Sequence, residues 1–348
     1  MRILLFLVGV GAGNTTRTLA LLDALRRRAP DLDIHVAAQG RAAALLEGIV
    51  PVHRMRDVTY GAESFSPARI ITSNLSFPLR FLQNRAAAAR LLDRLKPDIA
   101  VADSDFYCLG PAKRRGVRLV SINSSAATVA ALKRMGTPPG CRFSARVIER
   151  TDAWLQHRYP DQVICPVLVR ESGLPKKFHQ IPPIVRAGFE PCADPGEIGD
   201  DVAVVTGGSG IGTAEIDLRA VEAPVVTVGS TLSLVPAHAR QCGFTLDVVE
   251  VMRRARVLVV QGGFSSVSEA VALRRPTVVV PIARHAEQHV NARLFEELGL
   301  GLASPGPAAG ATVNALLERL GEFEARCREH SVTVDGADEA AEALLPAK

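Results

Sequence analysis

The chain has 348 residues, 47% of them hydrophobic, with a mean hydropathy of +0.15, enough apolar side chain for two ordinary domain cores and too much for bulk disorder. Its net charge of +5 is unevenly spread: residues 1–150 carry 23 Lys and Arg against 11 Asp and Glu, and the rest of the chain carries 18 against 25. A basic first half points to an anionic partner, a phosphate or a membrane surface, whereas 5% aromatic content without basic–aromatic interleaving argues against nucleic acid.

Arg2–Val8 is a continuous apolar run followed by glycines and reads as a buried first strand. It is short for a signal-peptide core and lacks a basic lead-in and a small-residue cleavage site. No apolar run approaches the roughly 18–20 residues that span a bilayer. An amphipathic helix is predicted from about Thr16 to Arg28, a strand at Asp33–Ala37, and a helix at Asn84–Leu95 stopped by Lys96-Pro97. Strand Ile99–Ala102, helix Phe106–Arg115 and strand Leu119–Ile122 follow. Uninterrupted apolar strands alternating with helices predict a parallel sheet covered on both faces.

Pro166, Pro175, Pro182, Pro183, Pro191 and Pro195 then break the rhythm, and IPPIVRAGFEP reads as an interdomain linker. The alternation restarts with strands Asp201–Thr206 and Pro224–Val228, helix Thr245–Arg254, strand Val257–Val260, helix Ser265–Leu273, strand Thr277–Val280 and helix Ala286–Glu297. The expected organisation is α/β throughout. Residues 1–180 form a first domain, 181–198 a linker, 199–334 a second domain, and 335–348 a C-terminal helix that can pack back on the first. Ligands of such sheets lie beyond the carboxyl ends of the strands, so the loops after strands carry the information. The six cysteines (Cys108, Cys141, Cys165, Cys192, Cys242 and Cys327) are scattered without a CxxC pair and read as reduced thiols of a cytosolic protein. They give a zinc site little support.

Three strand ends carry glycine clusters: Gly9-Val-Gly11-Ala-Gly13-Asn14, Gly207-Gly208-Ser209-Gly210-Ile-Gly212, and Gly262-Gly263-Phe-Ser265-Ser266. Glycine lets backbone approach a ligand, and a helix N-terminus offers unpaired N–H groups and partial positive charge to an anion. The first cluster is not a G-x-G-x-x-G fingerprint, and the second lacks the Lys-Ser/Thr of a P-loop. Glu269, about one turn into the helix after the third cluster, could accept two hydrogen bonds from a vicinal diol such as a ribose, or simply favour the helix dipole.

QGGFSSVSEAVALRRPTVVVPIARHAEQHVNARLFEELGLG, residues 261–301, resembles the donor-binding signature of GT-B glycosyltransferases, of the family 28 and family 1 type. It is similar to the nucleotide-sugar transferases of secondary metabolism and to the lipid-linked N-acetylglucosaminyltransferase of peptidoglycan synthesis. TGGSGIG resembles the first phosphate loop of the same domain, PDIAVADSDFYCLGPAKRRGVRLVSINSS the matching strand–helix–strand of the N-terminal domain, and GVGAGNTTR the family's first loop. The resemblance implies two facing Rossmann-like domains with parallel sheets and an interdomain cleft, a nucleotide diphosphate sugar on the second and an acceptor on the first. Carried over, Glu269 binds the ribose hydroxyls. Gly263, Ser265 and Ser266 meet the diphosphate from one side, and Gly208, Ser209 and Gly210 from the other. Glu287 and Gln288 touch the transferred sugar, and Gly11, Gly13 and Asn14 line the acceptor side.

Three positions depart from the family pattern. Asn14 stands where the first loop usually has His, Gln261 where His often precedes Gly-Gly, and Arg275 where a small residue usually precedes Pro. Asn14 cannot act as a general base, whereas Gln261 can still donate to a phosphate. An inverting transfer needs a base near the acceptor hydroxyl and stabilisation of the leaving diphosphate. Asp103 and Asp105 follow a strand and face the same cleft, so either is a candidate base, Asp103 preferred and Asp105 equally readable as a helix cap. A phosphate acceptor would need no strong base. His285 and His289 flank Glu287-Gln288 and could line the sugar pocket, but HxxxH without a third ligand is weak evidence for a metal. Phe65, Phe77, Phe81 and Leu82 mixed with arginines, and the stretch Arg142–Arg158, could rest on anionic lipid or could be core packing with a solvated face.

The function expected is that of a cytoplasmic, metal-independent, inverting glycosyltransferase, associated or not with the inner face of the membrane. It would move a sugar from a UDP-type donor to a small-molecule or lipid-linked acceptor, with no cofactor. A nucleotide-sugar hydrolase or epimerase of the same fold, or a non-catalytic nucleotide-sugar binder, is the alternative.

Overall fold

The structure, a computed structural model, describes residues 1–8, 13–57, 77–191, 197–206, 216–243 and 248–345. Seven parallel strands make the first sheet: β1 (Arg2–Leu7), β2 (Asp33–Ala38), β3 (Val52–Arg54), β4 (Ile99–Asp103), β5 (Arg118–Ile122), β6 (Gln162–Pro166) and β7 (Phe178–Ile181), in the order β3-β2-β1-β4-β5-β6-β7. Six parallel strands make the second: β8 (Val202–Val205), β9 (Val225–Val228), β10 (Arg240–Gln241), β11 (Val257–Gln261), β12 (Thr277–Val280) and β13 (Gly301–Ala303), in the order β10-β9-β8-β11-β12-β13.

The continuous apolar runs have a simple cause, because each strand is buried on both faces and alternate residues feed opposite cores. Ile3, Leu5 and Leu7 pack under α1 (Gly13–Arg28), while Leu4 and Phe6 pack under α3 (Phe77–Leu95) and α4 (Leu109–Arg114), α2 being Gly40–Leu46. In the second sheet Val257 and Val259 face one core and Leu258 and Val260 the other. That second core runs on into the first unit. Ala131 and Leu132 of α5 (Ser125–Met135) and Ala145 of a π-helical turn (Ser144–Glu149) join Val290, Leu294 and Phe295 of α9 (Ala286–Glu297). Among the described residues the remaining helices before α9 are α6 (Arg150–Arg158), α7 (Val248–Arg254) and α8 (Phe264–Ala272).

After α10 (Ala309–Glu318) and α11 (Leu320–Glu329) the chain returns to the first unit as α12 (Gly336–Leu344). Ala337, Ala340, Ala341 and Leu344 share the core under α1, and Arg27 and Arg28 pair with Asp338 on the surface. Gly336 permits that return, since a β-carbon there would lie 2.0 Å from the Pro182 carbonyl oxygen.

The proline-rich stretch before the expected linker at 181–198 contains a strand that the sequence reading did not predict. Strand β7 fits between Pro175 and Pro182, at the sheet edge where flanking prolines remove no ladder bond. Helix α4 begins at Leu109, later than its predicted start at Phe106, because residues after β4 form a turn held by Asp105. The strand order reverses between β1 and β4 and again between β8 and β11, so the loops after those strands diverge and leave room for a ligand.

Candidate functional site

In the second unit β11 ends at Gln261, and Gly262-Gly263 leads into α8. A β-carbon on Gly262 would lie 2.6 Å from the Gln288 carbonyl oxygen, so glycine is what lets α9 sit against this turn. Asn291 Nδ2 donates to the Gly262 carbonyl at 2.9 Å, tying the same contact. Gly263 has open space beside it, and the α8 N-terminus has no side-chain cap. Its first N–H groups therefore face outward beside half-buried Ser265 and Ser266, an arrangement suited to an anion. Gln261 is buried at the strand end.

Glu269 lies on α8 beyond that turn with its side chain 13% exposed and Arg186 Nε at 3.7 Å. Burial pushes its carboxyl up to about 7, and the Arg186 guanidinium opposes the rise. Arg186, from the segment joining the two sheets, stacks over Phe189 at 5.0 Å. A carboxyl so placed lacks enough donors for its lone pairs, which a diol would supply.

At the start of α9, Gln288 is buried and its Oε1 accepts from the Ile282 N–H at 3.0 Å, which fixes the loop before the helix. Arg284 in that loop holds φ +67, an uncommon backbone for a branched or long side chain. Burial raises the Glu287 carboxyl, Arg17 opposes this and Asp152 adds to it. Burial brings His285 down to about 4, with His289 contributing, so its imidazole is neutral at pH 7. Glu149, His285 and Glu287 place ligand atoms within 4.8 Å of one another and could hold a cation. HxxxH thus does find a neighbour, though Glu149 and Glu287 take the place of His289.

In the first unit α1 begins at Gly13 and presents Asn14 and Arg17 one turn apart. Arg17 Nη2 donates to Asn14 Oδ1 at 3.1 Å, to Ser104 Oγ at 3.2 Å, and to Asp103 Oδ1. Asp103 is fully buried, and its other oxygen accepts from Thr18 Oγ1 at 2.9 Å. With Asn14 Oδ1 engaged, its Nδ2 is the group left to face a ligand. Ser104 holds φ +54 at this strand end. Asp105 is 3% exposed, and its Oδ1 accepts from the N–H groups of Tyr107 and Cys108 at 2.8 and 3.1 Å. Burial pushes its carboxyl up to about 6, against those N–H bonds.

The two halves meet at this place. A β-carbon on Gly13 would lie 2.8 Å from Ser265 Oγ, so the starts of α1 and α8 touch. Gly13, Asn14, Asp103, Gly262, Gly263, Ser265, Ser266, Glu287 and Gln288 therefore surround one region, with Glu269 further along α8. Gly11, Gly208, Ser209 and Gly210 lie outside the described residues. Sequence reasoning missed Arg17, Glu149 and Arg186. Arg17 was open to discovery at i+3 from Asn14, whereas Glu149 and Arg186 had no local signal.

The family described as glycosyl transferase family 1 matches residues 1–155 and 238–320. An uncharacterized glycosyltransferase of Methanopyrus kandleri is 27% identical over 73% of this chain and 78% of its own length. A Nocardioides protein named UDP-N-acetylglucosamine–N-acetylmuramyl-(pentapeptide) pyrophosphoryl-undecaprenol N-acetylglucosamine transferase is 29% identical over 87% of this chain and 84% of its own. The solved structure of SsfS6, a glycosyltransferase of Streptomyces sp. SF2575 complexed with thymidine diphosphate, matches with a TM-score of 0.60 over 99% of both chains at 16% identity. That structural likeness makes the fold GT-B. With more than half of its length matched by the family, the chain belongs to glycosyl transferase family 1.

Proposed function

We propose that the protein transfers a sugar from a nucleotide diphosphate, UDP in the preferred reading, to an acceptor held by the first unit. The observation that carries this is the uncapped α8 N-terminus behind Gly262-Gly263, followed by the buried, under-paired Glu269. In this reading the α8 N–H groups, Ser265 and Ser266 stabilise the leaving diphosphate, and Glu269 binds the ribose diol. Gly208, Ser209 and Gly210 meet the phosphates from the other side, and Gln261 donates to them. Glu287 meets the transferred sugar while Gln288 shapes its pocket. Phosphate stabilisation by helix N-termini needs no metal, and the transfer is inverting.

Neither Asp103 nor Asp105 is offered to an acceptor hydroxyl, since Arg17 and Thr18 hold the first and two backbone N–H groups the second. Asn14 offers a donor. An acceptor oxygen that is already ionised, as in a phosphate, suits this surface and the basic first half. Leu79, Leu82, Val147, Ile148 and Trp154 are exposed among arginines, which supports a peripheral contact of this unit with an anionic membrane bearing such an acceptor. Among the described residues no helix is long and apolar enough to cross a membrane.

The test is a saturation-transfer NMR screen of UDP-, dTDP- and GDP-sugars on wild type and Glu269→Ala. Binding of one nucleotide sugar, lost in the variant, is the expected result. Equal binding by the variant removes the donor-site reading. Release of free sugar without any acceptor marks the hydrolase instead.

A further inference from the structure

The π-helical turn of the first unit lies against the start of α9 in the second. Ser144 Oγ accepts from the Ala286 N–H at 3.2 Å, and Ala145 shares one core with Ala286 and Val290. His285, at the N-cap, makes no side-chain cap bond, and Ser144 has taken that place. Glu149 closes the turn. One of its carboxylate oxygens, a ring nitrogen of His285 and a carboxylate oxygen of Glu287 all lie within 4.8 Å of one another. Glu149 is 5% exposed. Among the described residues no side chain donates a hydrogen bond to its carboxylate, and no Lys or Arg pairs with it or with Glu287. Asp152 adds negative charge beside both carboxyls. Gln156 stands on the same helical face as Glu149 and Asp152 and is 1% exposed. It gives its Nε2 to Asp152 Oδ1 at 3.0 Å, which fixes the amide's orientation and leaves Oε1 buried without a donor. This flank of the first unit is rich in buried oxygen acceptors and short of positive charge. Buried carboxylates in that condition call for a cation.

We propose that Glu149, His285 and Glu287 form a binding site for a first-row divalent cation, Mn²⁺ or Zn²⁺, that bridges the two units. The donor set selects the class of ion. Two carboxylates and one imidazole suit Mn²⁺ and Zn²⁺, whereas Ca²⁺ and Mg²⁺ favour oxygen ligands alone. Such an ion, about 2.0–2.2 Å from each ligand, sets neighbouring ligand atoms about 3–4 Å apart. Small side-chain rotations close the observed spacing to that value. The ligands come from both halves of the chain: Glu149 from the turn that packs on α9, His285 and Glu287 from the first residues of α9 itself. Metal binding therefore favours the association of the units and adds a polar tie beside the apolar seam that already joins them. Three protein ligands leave coordination positions for water, and a monodentate Glu287 keeps its second oxygen for a sugar hydroxyl. The ion is no part of the phosphate stabilisation proposed above, and the site needs no nucleotide to form.

The test uses the full chain, stripped with a chelator and dialysed, without nucleotide. MnCl₂ is titrated in, and the electron paramagnetic resonance signal of free Mn²⁺ reports binding. Wild type should take up a single Mn²⁺ per chain, displaced by ZnCl₂. Glu149→Gln, Glu287→Gln and His285→Asn, which keep side-chain size, should each weaken it by more than about tenfold, a loss that even partners one shell further out can cause. Glu322→Gln, at a surface ion pair with Arg319, should leave it unchanged. Thermal unfolding of wild type should rise by roughly 5 °C at a hundredfold excess of Mn²⁺ over Kd, and that of Glu149→Gln should not respond. A second readout needs no variant to fold well: Zn²⁺ added to ¹⁵N-histidine-labelled wild type should shift a ring nitrogen of His285. Absence of saturable Mn²⁺ binding overturns the proposal, as does binding that any of the three variants leaves intact, or a His285 ring that Zn²⁺ does not move. The donor-site reading is scored separately, by UDP binding to the metal-free chain: UDP bound where no Mn²⁺ binds sinks the cation site alone.

Discussion

Replacing Glu269 by Gln should make the protein more stable while removing its ligand. The carboxyl is largely buried and faces a single guanidinium Nε 3.7 Å away, and burial takes it from 4.5 to about 7. A folded-state value above the unfolded one means that ionisation penalises the fold. The penalty is absent below about pH 4.5, grows as the pH rises to 7, and is complete above that. At about 1.4 kcal/mol per tenfold, the full penalty is roughly 3 kcal/mol. The side chain keeps some contact with water, and Arg186 loses a partner charge in the variant, so about 1–3 kcal/mol is expected to survive. For a unit of this size that is roughly 2–10 °C in Tm. Urea and thermal unfolding of ligand-free wild type and Glu269→Gln at pH 4.5 and pH 8, beside calorimetry with UDP, measure it. The variant should match wild type at the lower pH, exceed it at the higher, and fail to bind UDP at either. A variant less stable at pH 8, or equally stabilised at both pH values, refutes the account of Glu269 as a carboxylate held in reserve for a diol.

Asp103→Asn should cost about 3–5 kcal/mol, because it leaves the Arg17 guanidinium buried without its charge partner; a urea-derived unfolding free energy lowered by less than about 1 kcal/mol would show that water compensates Arg17. Gly262→Ala should lose about 1–3 kcal/mol and UDP binding together, since its new β-carbon meets the Gln288 carbonyl oxygen at 2.6 Å. Gly263→Ala has open space and an ordinary φ of −63, so it should fold normally and lose affinity for UDP only. If both glycine variants bind UDP as wild type does, the backbone of this turn does not meet the phosphates.

The strands that place the site were legible because burial on both faces leaves long runs without a polar residue, as in β1, β4, β11 and β12. Strand β13, three residues beginning with Gly301, carries no such run, and it forms because a residue without a β-carbon can approach the Thr277 backbone closely. Strand β7 was hidden by the prolines that bracket it. The second unit's share of the candidate site was legible for a related reason, since glycines, serines and Glu269 all fall within one strand–turn–helix unit. The first unit's share was not. The partner of Arg17 is 86 positions away, and Glu287 and His285, which cluster with Glu149, belong to a different sheet unit. Such pairings are set by which strand ends lie side by side, and no local spacing records them.

The two halves differ in how their carboxylates are paired, and the difference argues for their division of labour. In the first, Asp103 is matched by Arg17 and Thr18, and Asp105 accepts from two backbone N–H groups, although burial still raises its carboxyl to about 6. What remains at that surface is donor capacity: the Asn14 amide, the edge of a guanidinium, and the start of a helix. In the second, Glu269 and Glu287 are buried with fewer donors than their oxygens can accept, and both carboxyls are raised by burial. A surface of donors selects an anion, and a surface of under-paired acceptors selects hydroxyls. Ser104 at φ +54 and Arg284 at φ +67 stand at the loops where these two surfaces begin. Among the described residues the other two non-glycine residues with such backbones, Lys96 and Arg274, only close helices, where a left-handed residue is ordinary. Strain that no helix end explains is retained where the chain must hold a side chain toward a ligand. Such backbones on both sides of the contact between α1 and α8 agree with the proposed position of the site between the units.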